Sequence, residues 1–141
     1  MSEFANRHVL VTGASSGIGL ATAQLLARRG ARVYLVARRE RQLAEVTATI
    51  AREGGTAAYG VADVSDRGAL TAAIDAAERA FGPVAGVFAN AGTGGHFAPL
   101  TEYDDELFDT VLHQPHERLL GHEARAARDV RRGRRQHRRR R

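Results

Sequence analysis

The residues best placed to do chemistry lie near the amino terminus, where Thr12–Gly19 reads Thr-Gly-Ala-Ser-Ser-Gly-Ile-Gly. Gly13 can take the turn that leaves a strand. Gly17 leaves room for backbone N–H groups to approach a pyrophosphate, and Gly19 lets the following helix pack closely on the strand. Ser15, Ser16 and Ile18 complete the loop. A helix starting here would add its partial positive charge. An ordinary strand-to-helix turn can carry the same letters. The position directly after a leading apolar run points instead to phosphate binding.

A site of this kind reads the adenosine ribose at the end of the second strand, where an acidic residue accepts the 2′-OH of NAD. By spacing that position is Ala37, and Arg38 follows it. A guanidinium suits a 2′-phosphate, which a carboxylate would repel. Arg39 and Arg41 are further cations in the same turn. The expected cofactor is NADP ahead of NAD.

The elements that must position these groups follow from periodicity. Arg7–Thr12 is a short apolar run suited to a buried parallel strand. Helical spacing then runs from Ile18 to Arg29 through Ala21, Leu25 and Leu26, and Gly30 stops it. Arg32–Val36 is a second strand, and Arg39–Arg52 is a helix through Leu43, Val46 and Ile50, broken by Gly54-Gly55. Thr56–Val61 is a weaker third strand. Asp66 is a plausible cap for a helix reaching Phe81, closed by Gly82-Pro83. Val84–Ala89 is a fourth strand, and Asp104–Leu112 begins another helix. Strands alternating with helices give an α/β fold with a parallel sheet. Right-handed crossovers narrow it to a Rossmann-like doubly wound sheet, most simply ordered 3-2-1-4.

Over Met1–Leu112 the sequence resembles the short-chain dehydrogenase/reductase family. That family has a Thr-Gly-x-x-x-Gly-x-Gly loop, which Thr12–Gly19 matches throughout. It carries an Asp after the third strand that meets the adenine, and Ala62-Asp63-Val64 fits. It carries an Asn-Ala-Gly after the fourth strand, supplied here by Asn90-Ala91-Gly92; Ala89 stands where the commoner form has a further Asn. The resemblance implies hydride transfer between a nicotinamide cofactor and a small alcohol or ketone. It also implies an oligomer interface, most of which this sequence would lack.

The family's reaction uses a Ser and a Tyr-x-x-x-Lys pair, in which the Lys lowers the pKa of the Tyr that acts as general acid or base. This chain contains no lysine. Four positions beyond Tyr34, Tyr59 and Tyr103 stand Arg38, Asp63 and Leu107. No residue is therefore assigned a catalytic role, and Tyr34 and Tyr59 are expected to be packing residues of strands.

Charge divides the chain of 141 residues in two. Met1–Leu112 holds 10 Arg against 13 Asp and Glu, a balance of −3, and His113–Arg141 holds 11 Arg against 3, a balance of +8. The expected organisation is an NADP-binding half-domain over residues 1–112 and a disordered Arg-rich tail over 113–141. Out-of-phase reading of GC-rich codons yields Arg in excess, and a shifted frame would permit family-like residues in the tail. A frameshift after about Leu112, leaving a truncated and inactive cofactor-binding fragment, is thus the leading expectation. The alternative is a nucleotide-binding module whose Arg131–Arg141 run binds nucleic-acid phosphates without sequence specificity. His113, His116 and His122 are read as a chance cluster rather than metal ligands, and there is no cysteine. No apolar run approaches the roughly 20 residues of a membrane span, and no signal-peptide pattern is present, so a cytoplasmic protein is expected.

The missing Tyr–Lys pair has a direct consequence. Purified 141-residue chain is expected to show no NADPH oxidation with ketones or aldehydes above background. Turnover that persists after contaminating reductases are removed would refute this.

Overall fold

A computed structural model describes residues 3–92 and 105–106. The elements in order are β1 (His8–Thr12), α1 (Gly17–Arg28), β2 (Arg32–Ala37), α2 (Glu40–Arg52), β3 (Thr56–Val61), α3 (Arg67–Phe81) and β4 (Gly86–Phe88). Of the expected helix Asp104–Leu112, Asp105 and Glu106 are described and are helical. Tyr103, the rest of that helix and the tail 113–141, with its histidines and its Arg131–Arg141 run, lie outside the described residues.

The sheet is parallel and ordered β3-β2-β1-β4, as the alternating pattern predicts. β1 is buried along its whole length because helices cover both faces. Alternate side chains then sort into two cores. Val9, Val11, Val33, Leu35 and Ala37 face α1 and α2, meeting Ala23, Ala27, Leu43, Val46 and Ile50. Leu10, Tyr34 and Val36 face α3, meeting Leu70, Ala73, Ile74 and Ala77. Tyr34 is a buried packing residue as expected, its ring edge-on to Phe81 at 6.5 Å and its hydroxyl over Gly60. Tyr59 is half-buried against the first core.

The helix ends follow the local sequence. Asp66 caps α3 by accepting the Ala69 N–H at 3.0 Å. α1 closes with the Gly30 and Ala31 N–H groups returning to the Ala27 and Leu26 carbonyls, and α2 closes the same way from Gly54 and Gly55 to Ala51 and Ile50. β4 is shorter than the expected Val84–Ala89. Its approach is still tied down, because the Ala85 N–H donates to the His8 carbonyl at 2.8 Å before the ladder begins.

One expectation about α1 is corrected. Its large apolar residues suggested a buried face through Ile18, Ala21, Leu25 and Leu26. The buried residues are instead Gly19, Ala23 and Ala27, and Ile18 and Leu25 are 71% and 49% exposed. Small residues four apart form a flat stripe, which lets the helix backbone approach the sheet more closely than leucines would. Leu26 does pack against the first core as periodicity suggests, whereas the close approach of helix to sheet leaves Ile18, Ala21 and Leu25 exposed.

At the opposite, amino-terminal edge of the sheet, His8 is buried with its ring edge-on to Phe81 at 5.5 Å. Its Nδ1–H donates to the Gly82 carbonyl at 2.7 Å, and Nε2 is buried without a partner. Burial pulls His8 below its ordinary value of 6.5, helped by the Arg32 guanidinium, although the Gly82 carbonyl, Glu78 and the Pro83 backbone favour the charged form. The fold therefore holds His8 neutral, while the unfolded chain takes up the proton more readily. This contribution to stability is complete above pH 6.5 and is lost as the pH falls below it. Melting temperature is expected to fall on acidification from pH 7.5 to 5, and less steeply in His8→Phe; equal pH slopes for the two proteins would contradict this.

Candidate functional site

Three pieces of backbone meet at the carboxyl edge of the sheet: the exit of β1, the first turn of α1 and the exit of β4. Thr12, fully buried at the end of β1, joins two of them. Its Oγ1 accepts the N–H groups of Asn90 and Ala91, both at 3.1 Å. Gly13 has φ +65, and a Cβ added there would stand 2.9 Å from the Ala91 Cα. Gly19 brings in the third piece. A Cβ there would run into the Gly13 carbonyl oxygen and stand 2.7 Å from Asn90 Nδ2. Asn90 Nδ2 itself reaches the Gly13 carbonyl at 3.5 Å.

Gly17 is the opposite case. Its φ is +57, and nothing lies within 4 Å of where its Cβ would be, so the loop is open on that side. The start of α1 is also unprovided for. Ser16 at the N-cap makes no side-chain capping bond, and the first turn carries no acidic residue. The helix thus turns its orphan N–H groups and partial positive charge toward open space without a counter-charge of its own. An anion fits there by both shape and charge.

The exits of β2 and β3 extend this edge. The Ala14 N–H reaches the Val36 carbonyl at 3.4 Å, and the Ala62 N–H reaches the Ala37 carbonyl at 3.0 Å. Arg38 is exposed just beyond β2. Asp63, just beyond β3, accepts the Ser65 hydroxyl at 2.7 Å and the Ser65 N–H at 2.9 Å. Those two bonds hold its carboxyl below the usual value, against a small burial effect, and Arg38 adds to the lowering. Val64 is half-buried behind it. The structure therefore brings Gly13, Ser15, Ser16, Gly17, Ile18, Gly19, Asn90, Ala91 and Gly92 to one end of the sheet, with Arg38, Asp63 and Val64 at the adjoining strand exits.

Two features were not visible in the sequence. The Thr12 hydroxyl as a tie between β1 and β4 had no signal beyond the loop motif. Arg39 was one of several exposed cations, yet its Nη2 donates to Ser15 Oγ at 3.2 Å and to Ser16 Oγ at 3.0 Å. Among the described residues there is no group of His, Cys, Asp and Glu that could hold a metal ion, and no helix long and apolar enough to cross a membrane.

Comparison with known proteins bears on the same region. The model of the short chain dehydrogenase family matches residues 7–115. An A-factor type gamma-butyrolactone 1′-reductase of Streptomyces virginiae is 38% identical over 107 residues, covering 76% of this chain and 42% of the relative. A variant actinorhodin polyketide ketoreductase solved with NADPH superposes with a TM-score of 0.82 at 32% identity, over 90% of this chain and 49% of that one. An NAD+-bound xylitol dehydrogenase gives 0.79 at 34% identity, over 88% of this chain and 47% of that one. The chain thus spans less than half the length of these relatives.

The Thr12 tie yields a test. Thr12→Val keeps the shape but leaves the Asn90 and Ala91 N–H groups without their acceptor, at a cost of about 1–3 kcal/mol. Thr12→Ser, which keeps the hydroxyl, should recover most of that loss in denaturant titrations. Equal stabilities for the two variants would show that the hydroxyl does not hold the strands together.

Proposed function

Because the chain belongs to the short chain dehydrogenase family, we propose that its glycine loop binds the pyrophosphate of a nicotinamide adenine dinucleotide, NADP ahead of NAD. The observation that carries this reading is the contrast within the loop. Gly13 and Gly19 are glycines because backbone is pressed against them, whereas Gly17 faces open space beside a helix start that has neither a capping side chain nor an acid.

In this reading the N–H groups at the start of α1 receive the pyrophosphate, over Gly13, Ser15, Ser16, Gly17, Ile18 and Gly19. The exposed Ile18 side chain gives the dinucleotide an apolar surface at the helix start. Asp63 and Val64 lie where the adenine would rest, and Asn90, Ala91 and Gly92 border the nicotinamide half. Arg38, following the uncharged Ala37, supplies the positive charge that a 2′-phosphate needs. The relatives include one solved with NADPH and one with NAD+, so the choice of NADP rests on this chain's own Ala37-Arg38.

When bound, the dinucleotide supplies a hydride donor or acceptor suited to an alcohol and ketone couple. This chain's residues hold and orient it. Among its 141 residues none forms the Tyr-x-x-x-Lys pair that would move the proton. The 141-residue chain is accordingly a dinucleotide-binding unit of an oxidoreductase family, and it does not itself turn over a substrate.

Equilibrium titration should show tighter binding of NADPH than NADH. Arg38→Asp should erase or reverse that preference, through loss of a charge-assisted contact of roughly 1.5–3 kcal/mol. Equal affinities in the unaltered protein would count against NADP as the preferred cofactor.

A further inference from the structure

β3 ends the sheet on its side, and among the described residues it pairs with β2 alone. Beyond it the Ala62 N–H points inward, to the Ala37 carbonyl at 3.0 Å. Backbone groups alternate in direction along a strand, so the N–H and C=O groups of Ala57, Tyr59 and Val61 point outward from the sheet. An open edge of this kind is normally blunted by a charged side chain, a proline or a bulge. Thr56–Val61 has neither a charged residue nor a proline, and its register with β2 runs without interruption from Thr56 to Val61. At the end of the strand the Val61 side chain is left half exposed.

We infer that β3 is an interface between two copies of this chain, joined antiparallel about a two-fold axis at Tyr59. In that register Tyr59 faces Tyr59 of the second copy, and Ala57 of each copy faces Val61 of the other. Every outward N–H and C=O group of the strand then finds its counterpart, because each facing pair exchanges both bonds. Any other register sets Ala57 or Val61 against residues outside the strand, or sets outward groups against inward ones. The strand is thus complementary to itself, as a two-fold contact requires. The side chains agree. Ala57 and Tyr59 lie on the face covered by α1 and α2, and Val61 shares it by alternation. The small Ala57 leaves room for Val61 opposite, and the two tyrosines are cross-strand aromatic neighbours. α2 packs on β2 and β3. With neighbouring strands about 4.8 Å apart, the α2 helices of the two copies lie roughly 10 Å from each other, the spacing of packed helices. Glu53 reaches Arg28 of α1 from one flank of α2, and helical spacing puts Ala44, Thr47 and Ala51 on the other. None of these three is large or charged, so the helices can approach. Charge also matches, because antiparallel alignment brings the Arg52 end of each strand to the Asp63 end of the other.

The chain contains no cysteine, so introduced cysteines report the register directly. In the full 141-residue chain, Tyr59→Cys should give a disulfide-linked dimer on oxidation, since facing Cα atoms lie about 5.5 Å apart. Ala57→Cys and Val61→Cys should each remain unlinked alone, their like positions being roughly 13 Å apart along the strands. Mixed together, the two should cross-link to each other. Sedimentation of the unaltered chain should show a monomer–dimer equilibrium. Val61→Lys, which charges the edge, should weaken it by about tenfold or more while preserving the far-ultraviolet circular dichroism. A monomer at every concentration would overturn the inference, and so would Ala57→Cys linking to itself as readily as to Val61→Cys. Association or aggregation that Val61→Lys leaves unchanged would place the contact on another surface and overturn it as well. If Val61→Lys does not fold, the cysteine mixture decides.

Discussion

The contact between Gly13 and Gly19 is the constraint on which the rest of the site depends. The first turn of α1 lies so close to the exit of β1 that a single methyl group at Gly19 would collide with the Gly13 carbonyl oxygen. To keep that approach along its length, α1 must present small side chains to the sheet, and Ala23 and Ala27 continue the stripe that Gly19 begins. The larger Ile18 and Leu25 are thereby turned outward. The same approach aims the start of α1 along the carboxyl edge of the sheet, where its unpaired N–H groups meet open space beside Gly17. Close packing and an uncapped helix start facing open space are thus two results of one geometry.

Strand pairing fixes the third side. β4 follows β1 in the sheet, and the Thr12 hydroxyl collects the Asn90 and Ala91 N–H groups at the point where both strands end. Asn90 then lies against both glycines at once. Few side chains are involved, and most of the site is main chain held at short range. Charge is added at its margins. Arg38 and Arg39 leave the sheet together, one close enough to Asp63 to favour its charged form and one on Ser15 and Ser16, so two cations border the strand exits.

The opposite edge of the sheet has a different character. There His8 is enclosed by Phe81 and anchored to the Gly82 carbonyl, and it is held neutral by burial. The two edges share strand β1, five residues long, with a buried titratable group at its start and a buried hydroxyl tie at its end. Protonation at the first edge acts on stability, whereas the second edge governs the loop. The titratable His8 therefore lies at the end of β1 away from the glycine loop.

The sequence by itself determined the element types, the parallel sheet and its order, because alternating apolar runs and helical periods leave few right-handed arrangements. It also determined the helix ends, where Gly30, Gly54 and Asp66 act through bonds to residues a few positions away. The glycine loop was legible from its local residue types and spacing, whereas Asp63 and Asn90-Ala91-Gly92 stood out only through the family resemblance. Tertiary structure decided what depends on distances between separate elements. Which face of α1 is buried followed from how near Gly19 must come to Gly13, a requirement that the hydrophobicity of Ile18 and Leu25 does not express. The length of β4 depended on where β1 could pair with it. The partnership of Arg39 with Ser15 and Ser16, more than twenty positions apart, depended on β1 and β2 being neighbours in the sheet. One arginine in a row of exposed cations has no sequence signature for that role, because an exposed guanidinium takes its partner from whatever the fold places within reach.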